Sequence, residues 1–149
     1  MGTVEKVMCE VDRTVYKHGL LSPERLAEAL FDGVLRVPLP HGHIRGMVCG
    51  DVLLVNSNQP YWRIIGTLLH ECGHREMHPA INQLFFHFHT YLFNSRFELE
   101  ADMYALIYAA RWYEYGPCGC GNLYELAHAL GIPAHVADTV ARSFGAGYR

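Results

Sequence analysis

The stretch Tyr61 to His78, YWRIIGTLLHECGHREMH, follows Pro60 and reads as one long helix. Ile64, Ile65, Leu68 and Leu69 form an apolar run that leads into His70-Glu71-Cys72-Gly73-His74. Two histidines four apart on a helix project from one face, with β-carbons about 5–6 Å apart. Both imidazoles can then reach one ion at about 2.0–2.1 Å. Glu71 stands one residue on from His70, at the edge of the same face. There its carboxylate can touch a water held at the ion without itself binding the ion. In that role it accepts a proton as the water attacks and returns it to the leaving amine. Gly73 departs from a good helix, because glycine in a helix interior costs about 1 kcal/mol relative to alanine. A close backbone approach, room for substrate and plain tolerance each account for it.

A catalytic zinc takes three protein ligands and keeps one position open. The next helical run, Phe97 to about Tyr115, places Met103, Leu106, Ile107 and Ala110 on one face and opens with Glu98-Leu99-Glu100-Ala101-Asp102. Glu98 and Asp102 share a face. Glu98 can therefore bind the ion while Asp102 orients a ligand histidine through its other ring nitrogen. Glu100 lies about 200° round the helix from Glu98 and should point elsewhere. Small Ala101 suits close packing of the two site helices. The alternative reading is an acidic first turn that stabilises a helix N-terminus.

Outward from these helices, the chain is organised as one α+β domain. At 149 residues, half of them apolar and 18% charged, it can carry its own core. Val4, Val7, Met8, Val11 and Val15 recur at helical spacing, and Gly19 marks a stop. Ser22-Pro23-Glu24 opens a second helix that runs through Leu26 and Leu30 to about Gly33. Val34 to Val37, Arg45 to Cys49 and Val52 to Asn56 are β-rich. Gly50-Asp51 suits a two-residue hairpin turn, and Pro38 and Pro40 keep the first strand short or at an edge. Pro79 to Ser95 lacks a clean period and reads as an irregular loop. Gly116 and Pro117 should end the later site helix, and a helical hairpin at about 122–144 closes the chain. The fold expected is a mostly helical single domain, with a small sheet packed by the motif helix in a minimal zincin-like arrangement.

The net charge of −3 argues against a large nucleic-acid footprint, which needs a basic face. Ten histidines raise the expectation of metal binding without locating a site. The first residues mix charges and lack the apolar core of a secretory signal, and no run is long enough to span a bilayer. Five cysteines at spacings unlike a secreted disulfide scaffold point to a reducing cytoplasm.

His-Glu-Cys-Gly-His, then His78-Pro79, His89-Thr90 and Glu-Leu-Glu-Ala-Asp, resembles the ImmA/IrrE family of metallopeptidases. The likeness covers most of Leu26 to Tyr108. It implies a compact α+β peptidase with His70, His74 and Glu98 as zinc ligands and Glu71 as general base. It also implies a bacterial, phage or mobile-element setting, and a partner helix-turn-helix repressor whose cleavage switches genes on. Cys72 stands where the family usually has an aliphatic residue, and no sensor or DNA-binding domain accompanies the peptidase.

Weaker signals complete the reading. His87, His89 and Tyr91 could place a donor beside the site to stabilise an oxyanion, or could simply anchor a loop. His41 and His43 receive no role, and Cys118-Gly-Cys120 reads as a reduced turn. Cys72 differs in helical position from both histidines and is rejected as a ligand. Ala127, Gly131 and Val136 give the tail a helix-turn-helix flavour, but it carries too few cations for phosphate contacts and reads as a packed hairpin. The leading expectation is a zinc endopeptidase, with manganese as another usable ion, that cleaves a specific repressor. A substrate strand added to an exposed sheet edge would supply selectivity. The alternatives are a non-catalytic metal-containing protein that sequesters or displaces its repressor, and a DNA-binding regulator that uses the tail.

Overall fold

A computed structural model describes residues 2–40, 44–79, 95–114 and 121–144. Among these residues the helices are α1 (Thr3–His18), α2 (Pro23–Leu30), α3 (Tyr61–Met77), α4 (Ser95–Tyr113), α5 (Leu123–Leu130) and α6 (Ala134–Phe144). Three strands lie between α2 and α3: β1 (Gly33–Val37), β2 (Gly46–Cys49) and β3 (Val52–Asn56). The expected α+β architecture, mostly helical with one small sheet, is what the chain adopts.

α3 packs chiefly against α4, and this pair is the centre of the molecule. Ile65, Leu68, Leu69 and Cys72 of α3 are buried against Met103, Tyr104, Ala105 and Tyr108 of α4. Gly73 lies in the seam. A β-carbon added there would sit 3.1 Å from Tyr104 Cβ and 3.2 Å from Ala101 Cα. Of the three accounts the sequence left open, close backbone approach is therefore the operative one. α3 makes a second close approach at Gly66, where a β-carbon would fall 2.0 Å from the Leu130 carbonyl oxygen at the end of α5.

The sheet order is β1-β3-β2, with β1 parallel and β2 antiparallel to the central β3. Cys49 pairs with Val52, so Gly50-Asp51 is the expected two-residue turn, and Gly50 takes φ +61°. Val48 and Leu53 face each other on the buried side. β1 is an edge strand of five residues, as its following prolines require. Buried Asn56 ties down the chain on either side of this edge. Its Oδ1 accepts from the Leu39 and Asn58 amides at 3.1 and 2.9 Å, and its Nδ2 donates to Ile44 O at 2.8 Å.

Element ends shift for identifiable reasons. α2 stops at Leu30 instead of Gly33, because buried Phe31 turns extended and leads into β1. Arg75 of α3 locks that junction: it donates to Leu30 O, pairs with Asp51 in the β-turn and lies over the Phe31 ring. α4 begins two residues before Phe97 and ends two before Tyr115, where Glu114 adopts φ 50°. Gly116 and Pro117 lie outside the described residues, as does the interior of the loop expected between Pro79 and Ser95.

α1 is fastened along α4. Thr14 Oγ1 and Tyr104 Oη are 2.8 Å apart, and Arg111 pairs with Asp12. Tyr108 Oη donates to Leu21 O at 2.7 Å and accepts from Leu21 N at 3.1 Å, fixing the α1–α2 connection. The tail does pack as two helices, capped by Asn122 and turned at Gly131 with φ +78°. It is not an appendage, since Leu126, Leu130, Val136 and Val140 belong to the one core.

Replacing Gly66 with Ala should cost about 3 kcal/mol, because two backbones must separate to admit the methyl group. The same change at exposed Gly121, where the new carbon would meet Glu125 Oε2 at an ordinary 3.5 Å, should shift stability by less than about 0.5 kcal/mol. Urea unfolding of the two variants measures both.

Candidate metal centre

α3 and α4 present three donors to one point. His70 Nε2 lies 3.0 Å from Glu98 Oε2, and His74 Nε2 lies 3.0 Å from Glu98 Oε1. One ligand atom from each of His70, His74 and Glu98 falls within 4.8 Å of the other two. The imidazoles stand nearly perpendicular, with centroids 4.7 Å apart. A tetrahedral ion with bonds of about 2.0–2.1 Å holds its donors about 3.3 Å apart, so small side-chain movements suffice to seat one. The donor chemistry also fits. Two ring nitrogens converge on a carboxylate, and such a cluster needs a cation or protons between its members.

The surroundings reinforce this arrangement. Asp102 Oδ1 is 2.8 Å from His70 Nδ1, close enough to fix the orientation of that ring. Burial works against a charge on His70, but the hydrogen bonds to Asp102 and Glu98 outweigh it. Together with the nearby charge of Glu71 they hold the pKa well above the ordinary 6.5. The same field favours a metal cation. Glu71 is buried beside the pair, on the turn that carries both histidines. Cys72 faces the core, and burial pushes its thiol pKa well up, which agrees with its rejection as a ligand.

Glu100 does point away from the three-donor cluster, yet it is not remote from the site. Its Oε1 lies 2.8 Å from His78 Nε2, and its Oε2 lies 3.1 Å from Lys6 Nζ and 3.5 Å from Arg96 Nε. His78 Nδ1 in turn lies 3.0 Å from His74 Nδ1. Burial would raise the Glu100 pKa, but the bonds from His78 and Lys6 overcome it and leave the group below its usual value. Burial lowers the His78 pKa despite the Glu100 bond. In the sequence reading Glu100 is only a substitute third ligand should Glu98 fail, His78 enters only through the family likeness, and Lys6 has no site role. The spacing of His74 and His78 was the available signal, since four residues place them on one helical face.

His87, His89 and Tyr91 lie outside the described residues, as do His41, His43, Cys118 and Cys120. No family model, curated protein or solved structure matches the chain.

Purified protein should bind one equivalent of zinc, and E98A should abolish it. D102A should weaken binding about 10–100-fold, the usual cost of losing a ligand's carboxylate support. Metal analysis with chelator competition decides the matter, and full zinc content in E98A would move the third ligand elsewhere.

Proposed function

We propose that this chain is a zinc-dependent endopeptidase whose metal is held by His70, His74 and Glu98 and whose general base is Glu71. The observation that supports it most is the convergence of the two α3 histidines and the α4 glutamate, with Glu71 built into the same turn. Two imidazoles and one carboxylate suit zinc, and manganese remains a usable substitute. When bound, the ion supplies Lewis acidity toward a peptide carbonyl and makes water at the site easier to ionise.

The residues of the chain then have distinct tasks. Glu71 receives the proton of the attacking water and delivers it to the departing amine nitrogen. Asp102 accepts from His70 Nδ1 and holds that ring in register. Close packing at Gly73 and Ala101 sets the spacing between α3 and α4, and hence between the histidines and Glu98. The two edge strands, β1 and β2, offer places where an extended substrate could add as a strand.

The substrate class rests on the resemblance of the two motif segments to ImmA/IrrE peptidases. On that basis the substrate is a helix-turn-helix repressor and the outcome of cleavage is derepression, while the cysteine spacings favour a cytoplasmic setting. Among the described residues no helix is long and apolar enough to cross a membrane. Direct nucleic-acid binding is not part of this reading. The apolar residues at the centre of the tail are spent on the core, and Arg142 is paired with Asp138 at 2.8 Å.

E71Q should retain zinc while cleavage of a co-expressed partner repressor falls about 10²–10⁴-fold. Fragment mapping by mass spectrometry and a reporter of derepression read the two effects together. Full derepression by E71Q would sink the peptidase reading in favour of sequestration.

A further inference from the structure

The line of contacts from His74 to Lys6 has a direction that hydrogen-bond chemistry settles. Lys6 and Arg96 can only donate, and both address Glu100 Oε2. The Glu100 carboxylate can only accept, so the hydrogen between Glu100 Oε1 and His78 Nε2 belongs to His78. With that hydrogen on Nε2, the uncharged His78 ring presents the lone pair of Nδ1. That lone pair faces His74 Nδ1 at 3.0 Å, so His74 is the donor in that contact. The remaining nitrogen of His74, Nε2, lies 3.0 Å from Glu98 Oε1, where a cation shared by the two would sit.

We propose that His78, Glu100 and Lys6 form a positioning relay that sets His74 in its Nδ1–H tautomer and so presents Nε2 to a divalent cation. The inference rests on the metal-centre reading and deepens it. His70 obtains the same tautomer from a single carboxylate, Asp102. His74 obtains it through an intervening imidazole, because Glu100 lies on the far side of α4 from Glu98 and reaches His78 instead. Phe97 packs on the His78 ring, with centroids 4.4 Å apart, and keeps it in the relay. The last member sits on α1, 94 residues from Glu100, so docking of the first helix completes the support of the second ligand.

Two measurements on the full chain test the relay. In the first, chelator competition gives the zinc affinity of the unmutated protein, H78F and H78N. Phenylalanine removes the acceptor that faces His74, whereas the asparagine oxygen replaces Nδ1 at nearly the same place. H78F should bind zinc about 10–100-fold more weakly, and H78N should recover most of that loss. H78F within twofold of the unmutated protein, or H78N as weak as H78F, would overturn the proposal.

The second measurement needs neither zinc nor a folded H78F variant. In an E98A background, long-range proton–nitrogen NMR spectra should show the His74 hydrogen on Nδ1. A hydrogen on Nε2 with His78 intact would overturn the relay. Absence of zinc binding by the unmutated protein would instead overturn the metal-centre reading, and the NMR result would still decide the tautomer.

Discussion

The closeness of α3 and α4 at Gly73 is the constraint on which the rest of the structure depends. With no side chain at that position, the α3 backbone comes down onto Ala101 and Tyr104. The helix that carries His70 and His74 is thereby held against the first turns of the helix that carries Glu98. A methyl group in the seam would push the helices apart by tenths of an ångström, comparable with the tolerance of a metal site's bond lengths. The glycine's unfavourable helix propensity is offset by the burial that the close approach permits.

Around that seam the molecule solves a polar problem. Glu71, His74, His78 and Glu100 are all buried. Burying such groups is costly unless each is hydrogen-bonded or paired. The chain answers with ordered donors and acceptors: Asp102 behind His70, then His78, Glu100 and Lys6 behind His74. Among the described residues, most of the buried polar or charged side chains lie on α3, α4 and the residue that ends α3. A site of this kind gains rigidity from the core around it, and His74, His78 and Glu100 are tolerated there because each has a hydrogen-bond partner.

The peripheral elements serve the same centre. α1 runs along α4 and brings Lys6 to Glu100, while Thr14 meets Tyr104, the residue that packs on Gly73. The sheet lies against α2 and α3, and Arg75, one residue beyond His74, binds the sheet's turn to the end of α2. α5 meets α3 at Gly66, upstream of the motif. The motif helix is thus held on several sides, and its orientation is a property of the whole fold.

By itself the sequence determined what depends on short spacings. The i, i+4 pairs His70 and His74, and Glu98 and Asp102, defined shared faces because helical geometry is local. The Gly50-Asp51 turn, the Ser22 cap and the stop at Gly19 were legible for the same reason. The parallel pairing of β1 with β3 was not, since strand order is set by contacts between distant segments. Glu100 shows the division most clearly. Its angle on the helix pointed it away from the three-donor cluster, but that angle could not reveal what stood on its other side. Only packing placed His78 at the end of α3 and Lys6 of α1 against the same carboxylate. Tertiary structure alone decides such contacts, because a buried charge takes its partners from whichever elements the core brings to it, whatever their separation along the chain.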